Sequence, residues 1–199
     1  MKPVKIGITG GIGTGKSMIC LVLEHLGIPV YHADEESKKL LETNAAVVVA
    51  VKNLLGNEAY DHAQKANRSY IASIVFNDRE KLQKLNEILH PAVRQNFMEW
   101  LLKMDNHKLV AKEAAIMFES GSYKDMDYVV AVSSPDKLRI ERVMQRDGKS
   151  EAEVQRIIKE QLPQEELQKR SNFVIINDNQ HLVLPQVLEI IQSVTKTTR

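Results

Sequence analysis

Residues Gly10-Gly11-Ile12-Gly13-Thr14-Gly15-Lys16-Ser17 follow the pattern glycine, any four residues, glycine, lysine, then serine or threonine. Glycines at this density let a loop wrap a polyphosphate with its backbone N–H groups pointing inward, where side chains would block both the conformation and the approach. A helix starting near Lys16 would add its positive N-terminal end. Lys16 is then placed to reach the outer phosphates, and the Ser17 hydroxyl to ligate a Mg²⁺ ion bridging them. With ordinary glycine, lysine and serine usage, a chance match in a chain of this length is on the order of 1%.

Kinases, GTPases and motor ATPases share such a loop. The chain has no Asn-Lys-x-Asp stretch to select guanine, and the apolar run Tyr128–Val132 ends in Ser133 rather than a Mg²⁺-binding aspartate. The nearest candidate carboxylate is Glu113, at the start of Ala114–Phe118. Short length and the lack of partner signals favour a small-molecule kinase. On the acceptor side, Asp34 follows the second expected strand, at the rim where open α/β sheets bind ligands. It is a candidate to orient or deprotonate an acceptor hydroxyl, or to serve as the N-cap of the next helix. Arg139, Arg142 and Arg146 fall on one helical face, with Arg156 in the following helix. Their guanidinium groups either neutralise charge on a transferring phosphoryl group or form a solvated face.

The elements that position these residues read as alternating strands and helices. Val4–Thr9 is strand-like, and Met18, Ile19, Val22, Leu23 and Leu26 recur at helical spacing until Gly27. Ile28–Tyr31 reads as a second strand, at an edge because of Pro29. From Asp34 to about Met104 the pattern is helical, with a kink or a fresh start expected at Pro91. Strand character returns at Leu109–Phe118, Tyr128–Val132 and Phe173–Ile176. Ser134-Pro135-Asp136 opens a helix, Ser150 to Glu153 forms a capping box, and Val183, Val187, Ile190, Ile191 and Val194 stripe a last helix. Thr195–Arg199 is expected to fray. The pattern implies an α/β sheet covered on both faces, and the long helical stretch exceeds one crossover, so part of it reads as an inserted substrate-binding region.

Composition narrows the partners. Lys and Arg total 27 against 26 Asp and Glu, a net charge of +1, which lacks the basic excess of a dedicated nucleic-acid binder. No apolar run approaches the roughly 18–20 residues needed to span a bilayer, and the N-terminus has no signal-peptide core. The single cysteine, Cys20, forms no internal disulfide, and the expected location is the cytoplasm. Neither nucleic acid nor membrane is expected as a partner. Monomer and homo-oligomer are equally compatible with the helix faces.

Several segments together resemble the dephospho-coenzyme A kinase family from Ile6 to about Asn179. They are Thr9 to Ser17, Ala33-Asp34, Leu89-His90-Pro91, Phe118-Glu119, Arg142, Arg146-Asp147, Gln161 and Val174–Asn177. The resemblance implies transfer of the ATP γ-phosphoryl group to the ribose 3′-hydroxyl of dephospho-coenzyme A, with Mg²⁺ as cofactor. It implies a phosphate-loop fold of about five parallel strands flanked by helices. On that reading the core is 1–33, 105–138 and 173–195, the helical substrate-binding region 34–104, and a small helical lid 139–172. Residue by residue it assigns ATP binding to Thr9, Gly11, Ile12, Gly13, Thr14, Gly15, Lys16, Ser17, Arg142 and Asn177, the last near the adenine. Lys16, Asp34 and Arg142 take catalytic roles, and Asp34, His90, Phe118 and Glu119 contact the acceptor.

The chain departs from the family at two points. His32-Ala33-Asp34 stands where the family commonly has Asp-Ala-Asp, and Ala115-Ile116-Met117-Phe118-Glu119 where it has Pro-Leu-Leu-Phe-Glu. His32 reads either as a phosphate ligand or as a strand-end residue. His90 reads as a helix-boundary residue or a substrate contact. Phe97 and Trp100 read as core, and Cys20 as a small buried residue. Two alternatives to the implied reaction remain: a phosphate-loop kinase for another nucleoside, nucleotide or small alcohol, and a nucleotide-dependent switch.

Overall fold

The computed structural model describes residues 2–196. Five strands, β1 (Val4–Thr9), β2 (Val30–His32), β3 (Leu109–Glu113), β4 (Tyr128–Ser133) and β5 (Phe173–Ile176), pair in the order β2-β3-β1-β4-β5. Every pairing is parallel. β2 lies at an edge, which suits a strand preceded by Pro29. The chain leaves β1 toward one side of the sheet and returns to the other, so the carboxyl end of β1 is the switch point where such sheets bind ligands.

The described chain divides into two compact units, one built from the residues up to His32 with those from Lys103 onward, the other Ala33–Leu102. In the sheet unit, α1 (Lys16–His25) and α9 (Val183–Lys196) cover one face. Ile6, Ile8, Leu109, Ala111, Val130, Val132 and Ile175 pack there with Ile19, Cys20, Leu23, Val187, Ile190 and Val194. Burying each of the larger aliphatic side chains stabilises the fold by roughly 1.5–3 kcal/mol. On the opposite face Gly7 leaves room for Met117 and Met126, because a Cβ there would overlap the Met117 thioether. Lys112 is buried in β3 with its ammonium 5.8 Å from the Tyr31 ring centroid. Helices α6 (Asp136–Asp147), α7 (Glu151–Glu160) and α8 (Gln164–Arg170) lie between β4 and β5. Ser150 and Glu153 cap α7 reciprocally.

The helical unit comprises α2 (Ala33–Thr43), α3 (Ala45–Leu55), α4 (Arg68–Val75) and α5 (Arg79–Leu102). The side chains of Asn44 and Asn67 accept from the N–H groups of Val47 and Tyr70 and start α3 and α4. Leu41, Val47, Val51, Leu55, Ile71, Val75, Leu85 and Leu89 form its core, and the Tyr60 hydroxyl donates to Leu41 O at 2.8 Å.

Some sequence expectations are corrected. The second strand starts at Val30, two residues later than its apolar onset. The strand expected over Leu109–Phe118 ends at Glu113; Ala114 N still donates to Ile8 O, and the chain then turns so that Met117 can fill the space over Gly7. Apolar composition here serves a buried turn. No new helix begins at Pro91, which lies inside the single helix α5. Proline removes one backbone donor, while the apolar stripe of Leu85 and Leu89 continues to hold the helix on its neighbours. Thr195 and Lys196 belong to α9, and the rest of the expected frayed end lies outside the described residues.

Candidate active site

β1 delivers the glycine loop to the switch point, and α1 begins at Lys16. Gly13 and Gly15 have φ of 77° and 94°, where side chains other than glycine are strained. Space also forbids a side chain: a Cβ on Gly13 would lie 2.5 Å from Arg139 O, and one on Gly15 would meet the Asn177 amide. The first N–H groups of α1 have no helical acceptor and face its N-terminal end, as an anion site requires. Lys16 Nζ bends over the loop, donating to Gly10 O at 2.8 Å and Gly11 O at 3.4 Å. Ser17, the second residue of α1, is exposed. Thr14 is buried and donates to Gly11 O at 2.9 Å. Thr9 ends β1 with a buried hydroxyl that has no partner among the described residues.

The structure brings Arg142 and Asn177 to this loop. Arg142 Nη1 donates to Ser134 Oγ at 3.1 Å, Asn177 O at 3.2 Å and Gly13 O at 3.4 Å, while Nη2 reaches Asn179 Oδ1 at 2.8 Å. Asn177 is buried, and its Nδ2 donates to Thr14 O at 2.8 Å. The three arginines of α6 do not act as one cluster, because the helix tilts each into a different setting. Arg139 is buried under the loop, Arg142 is half-buried, and exposed Arg146 pairs with its neighbour Asp147 at 2.7 Å. Arg156 is exposed and pairs with Glu160.

Glu113 ends β3 in register with Ile8 of β1, one strand from the loop, and is buried. His32 lies between two carboxylates, Nε2 3.2 Å from Glu24 Oε1 and Nδ1 3.8 Å from Glu113 Oε2. This imidazole thus ends β2 between the two carboxylates. Burial, with the charges of Glu113 and Glu24, pushes the Cys20 thiol up to about 12, so it stays a protonated core group. Mg²⁺ typically takes one or two protein oxygens beside substrate phosphates and water, and the Ser17 hydroxyl and the Glu113 carboxylate are each an oxygen donor of the type it takes.

The remaining expected residues lie on other segments of the chain. Asp34 is exposed in the first turn of α2, inside the helix, so it complements the positive helix end rather than occupying the N-cap. His90 is half-buried in α5. Phe118 is buried, its ring 5.2 Å from that of Tyr123 and 4.5 Å from the Arg170 guanidinium, while Glu119 is exposed. Sequence reasoning gave no role to Gln161, Ser134 or Asn179, whose contacts with the loop or with Arg142 span distant segments. The helical spacing of Arg139 and Arg142, with the ATP-binding role that the resemblance gives Arg142, hinted that α6 faces the loop.

A nucleotide-type loop with its lysine and two guanidinium groups at the carboxyl edge of this sheet makes the protein a phosphate-loop kinase in class. The fold likeness extends to shikimate kinase from Acinetobacter baumannii, with a TM-score of 0.56 at 15% identity. The dephospho-CoA kinase family model matches residues 4–182, and the chain belongs to that family. It is 39% identical over 188 residues to a dephospho-CoA kinase of Bacteroides fragilis, covering 94% of this chain and 91% of the relative. Against that of Porphyromonas gingivalis the identity is 37% over 192 residues, covering 96% and 94%. Among solved structures, TT1252 from Thermus thermophilus has a TM-score of 0.85 at 32% identity with full coverage of both chains. Dephospho-CoA kinase from Campylobacter jejuni has a TM-score of 0.71 at 27% identity, covering 98% of each. Among the described residues no helix is long and apolar enough to cross a membrane.

Proposed function

We propose that this chain transfers the γ-phosphoryl group of ATP to the ribose 3′-hydroxyl of dephospho-coenzyme A, releasing ADP and coenzyme A, the last step of coenzyme A biosynthesis. The observation that carries this reading is the family match over residues 4–182, on a chain whose loop glycines Gly10, Gly13 and Gly15 adopt positive φ. The helical region 34–104 takes the acceptor, 139–172 forms a lid, and the enzyme works in the cytoplasm.

The residues divide the work as follows. N–H groups of the loop and the Lys16 ammonium hold the β- and γ-phosphates. The acceptor O3′ forms a bond to the γ-phosphorus as the bond to the β–γ bridging oxygen breaks, and ADP leaves. Asp34 orients the 3′-hydroxyl and accepts its proton, and His90, Phe118 and Glu119 belong to the acceptor's surroundings. Arg142 and Asn177 support the nucleotide side. Ser17 and Glu113 would hold Mg²⁺, which when bound neutralises charge across the phosphates. A loose transition state leaves most of the catalysis to such positioning and electrostatics.

The test mixes the purified protein with Mg·ATP and, separately, dephospho-coenzyme A, pantetheine, adenosine, AMP and uridine, measuring ADP release and product mass. Gain of one phosphoryl group on dephospho-coenzyme A alone is expected. Transfer to another acceptor instead, or ATP binding without transfer, would overturn the assignment.

A further inference from the structure

The tip of the phosphate loop is held from outside by two side chains that no catalytic role uses. Arg139 in α6 is 3% exposed. Its Nε donates to Ile12 O at 3.0 Å and its Nη1 to Asp136 Oδ1 at 2.8 Å. The rest of the guanidinium lies against Gly11, where a Cβ would overlap it, and the Arg139 backbone fills the space beside Gly13. From the other direction Gln161, which ends α7, accepts the Ile12 N–H through Oε1 at 2.8 Å. Both polar groups of Ile12 are therefore spent on the surrounding scaffold.

The same scaffold fixes the joint between α7 and α8. Gln164 Oε1 accepts from Ser134 N at 2.9 Å and Ser133 Oγ at 3.1 Å, and its Nε2 donates to Asp136 Oδ1 at 3.3 Å. Asp136 Oδ1 thus serves Arg139 and Gln164 together. Through these bonds the α7–α8 joint, the start of α6 and the loop tip form one connected network, and a shift of the joint must either break the Gln161–Ile12 bond or drag the loop with it.

We infer that Arg139 and Gln161 form a clasp on the Ile12 peptide that holds the phosphate loop in its binding shape and couples it to the seating of the α7–α8 joint. Arg139 is a positioning residue: it is buried beneath the loop and already neutralised by Asp136, so it does not touch phosphate. A loop released from either bond samples other shapes, and the apparent affinity for any polyphosphate falls by the lost fraction of competent loop. The inference rests on the kinase reading only in that the loop binds a polyphosphate.

The test uses Arg139→Met and Gln161→Met, which keep side-chain bulk and remove the donor or the acceptor, and the double variant. Binding of ATP and of inorganic tripolyphosphate is measured by calorimetry at several salt concentrations, with KM for ATP and for dephospho-coenzyme A. Each single variant is expected to weaken ATP and tripolyphosphate equally, by about tenfold, the effect of one buried hydrogen bond. KM for ATP rises and KM for dephospho-coenzyme A stays. The double variant falls short of the product of the singles, because both bonds secure one peptide. Salt dependence matches the wild type. Wild-type affinity for tripolyphosphate in the singles, fully multiplicative losses, or a reduced salt slope in Arg139→Met would overturn the clasp. Should Arg139→Met fail to fold, Gln161→Met, altered at a half-buried helix end, carries the same comparison. A wild type that binds neither ATP nor tripolyphosphate would instead remove the kinase reading itself.

Discussion

Asn177 offers a sharp choice between two roles. The family resemblance puts it near the adenine, yet its Nδ2 donates to Thr14 O at 2.8 Å and its backbone N–H to Ser133 O at 2.8 Å, with the residue 6% exposed. It ties the end of β5 to the middle of the phosphate loop. Asn177→Asp keeps the shape and replaces the donor by a second oxygen facing Thr14 O. Stranding a buried acceptor costs about 1–3 kcal/mol. The new carboxylate recovers part of this from Arg142 Nη2, which already lies 3.5 Å from Asn177 Oδ1. A net loss of about 0.5–2.5 kcal/mol in the loop corresponds to roughly 2–70-fold in affinity.

Calorimetric titration of ATP, GTP and inorganic tripolyphosphate at fixed Mg²⁺ and salt separates the roles. Loop support predicts the same fall for all three ligands and an unchanged ratio of ATP to GTP. An effect confined to ATP, with tripolyphosphate binding as in the wild type, would refute the loop argument and return Asn177 to base recognition. Affinities all within twofold of wild type would refute both.

The remaining predictions concern the reaction and the loop after β5. Lys16→Ala removes a preorganised donor to the transferring phosphate and is expected to lower kcat by roughly 10²–10³-fold with little change in melting temperature; near-native turnover would contradict the role. Asp34→Asn, altered at an exposed position, should leave ATP binding intact while lowering kcat by roughly 10²-fold or more; an unchanged kcat would leave Asp34 only as a helix-start charge. Asp178 accepts from the His181 and Gln180 N–H groups, both at 2.9 Å, and from the His181 ring, which hold its carboxyl well below the usual range. Its stabilisation is therefore complete above the unfolded carboxyl value of about 3.9 and lost as pH falls further toward the folded one. The melting-temperature gap between wild type and Asp178→Asn should shrink as pH falls below about 4; a gap unchanged from about pH 5 to 3 would point to another group.

Much of the fold was legible because its signals are local. Strand β1, the loop glycines and the stripe of α1 lie within one short stretch, and periodicity alone orders them. Segment 114–118 misled because apolar composition does not distinguish a strand from a turn that buries Met117 on Gly7. Pro91 starts no new helix because a helix can give up one backbone bond when its apolar face stays packed. The loop's supports were the least legible part. Ile12 is bonded to residues 127 and 149 positions away, and Asn177 to one 163 away, so no spacing rule links them. The arginines of α6 illustrate the limit best. Three identical side chains on one helical stripe look equivalent in sequence, but the loop lies against the first turns of the helix and not the last. Arg139 becomes a buried clasp, Arg142 a bridge to Asn177 and Asn179, and Arg146 a surface partner of Asp147. Function along that helix is therefore set by distance from the loop, and charge alone predicts none of it. Neutralising Arg146 should change ATP affinity far less than neutralising either of the other two.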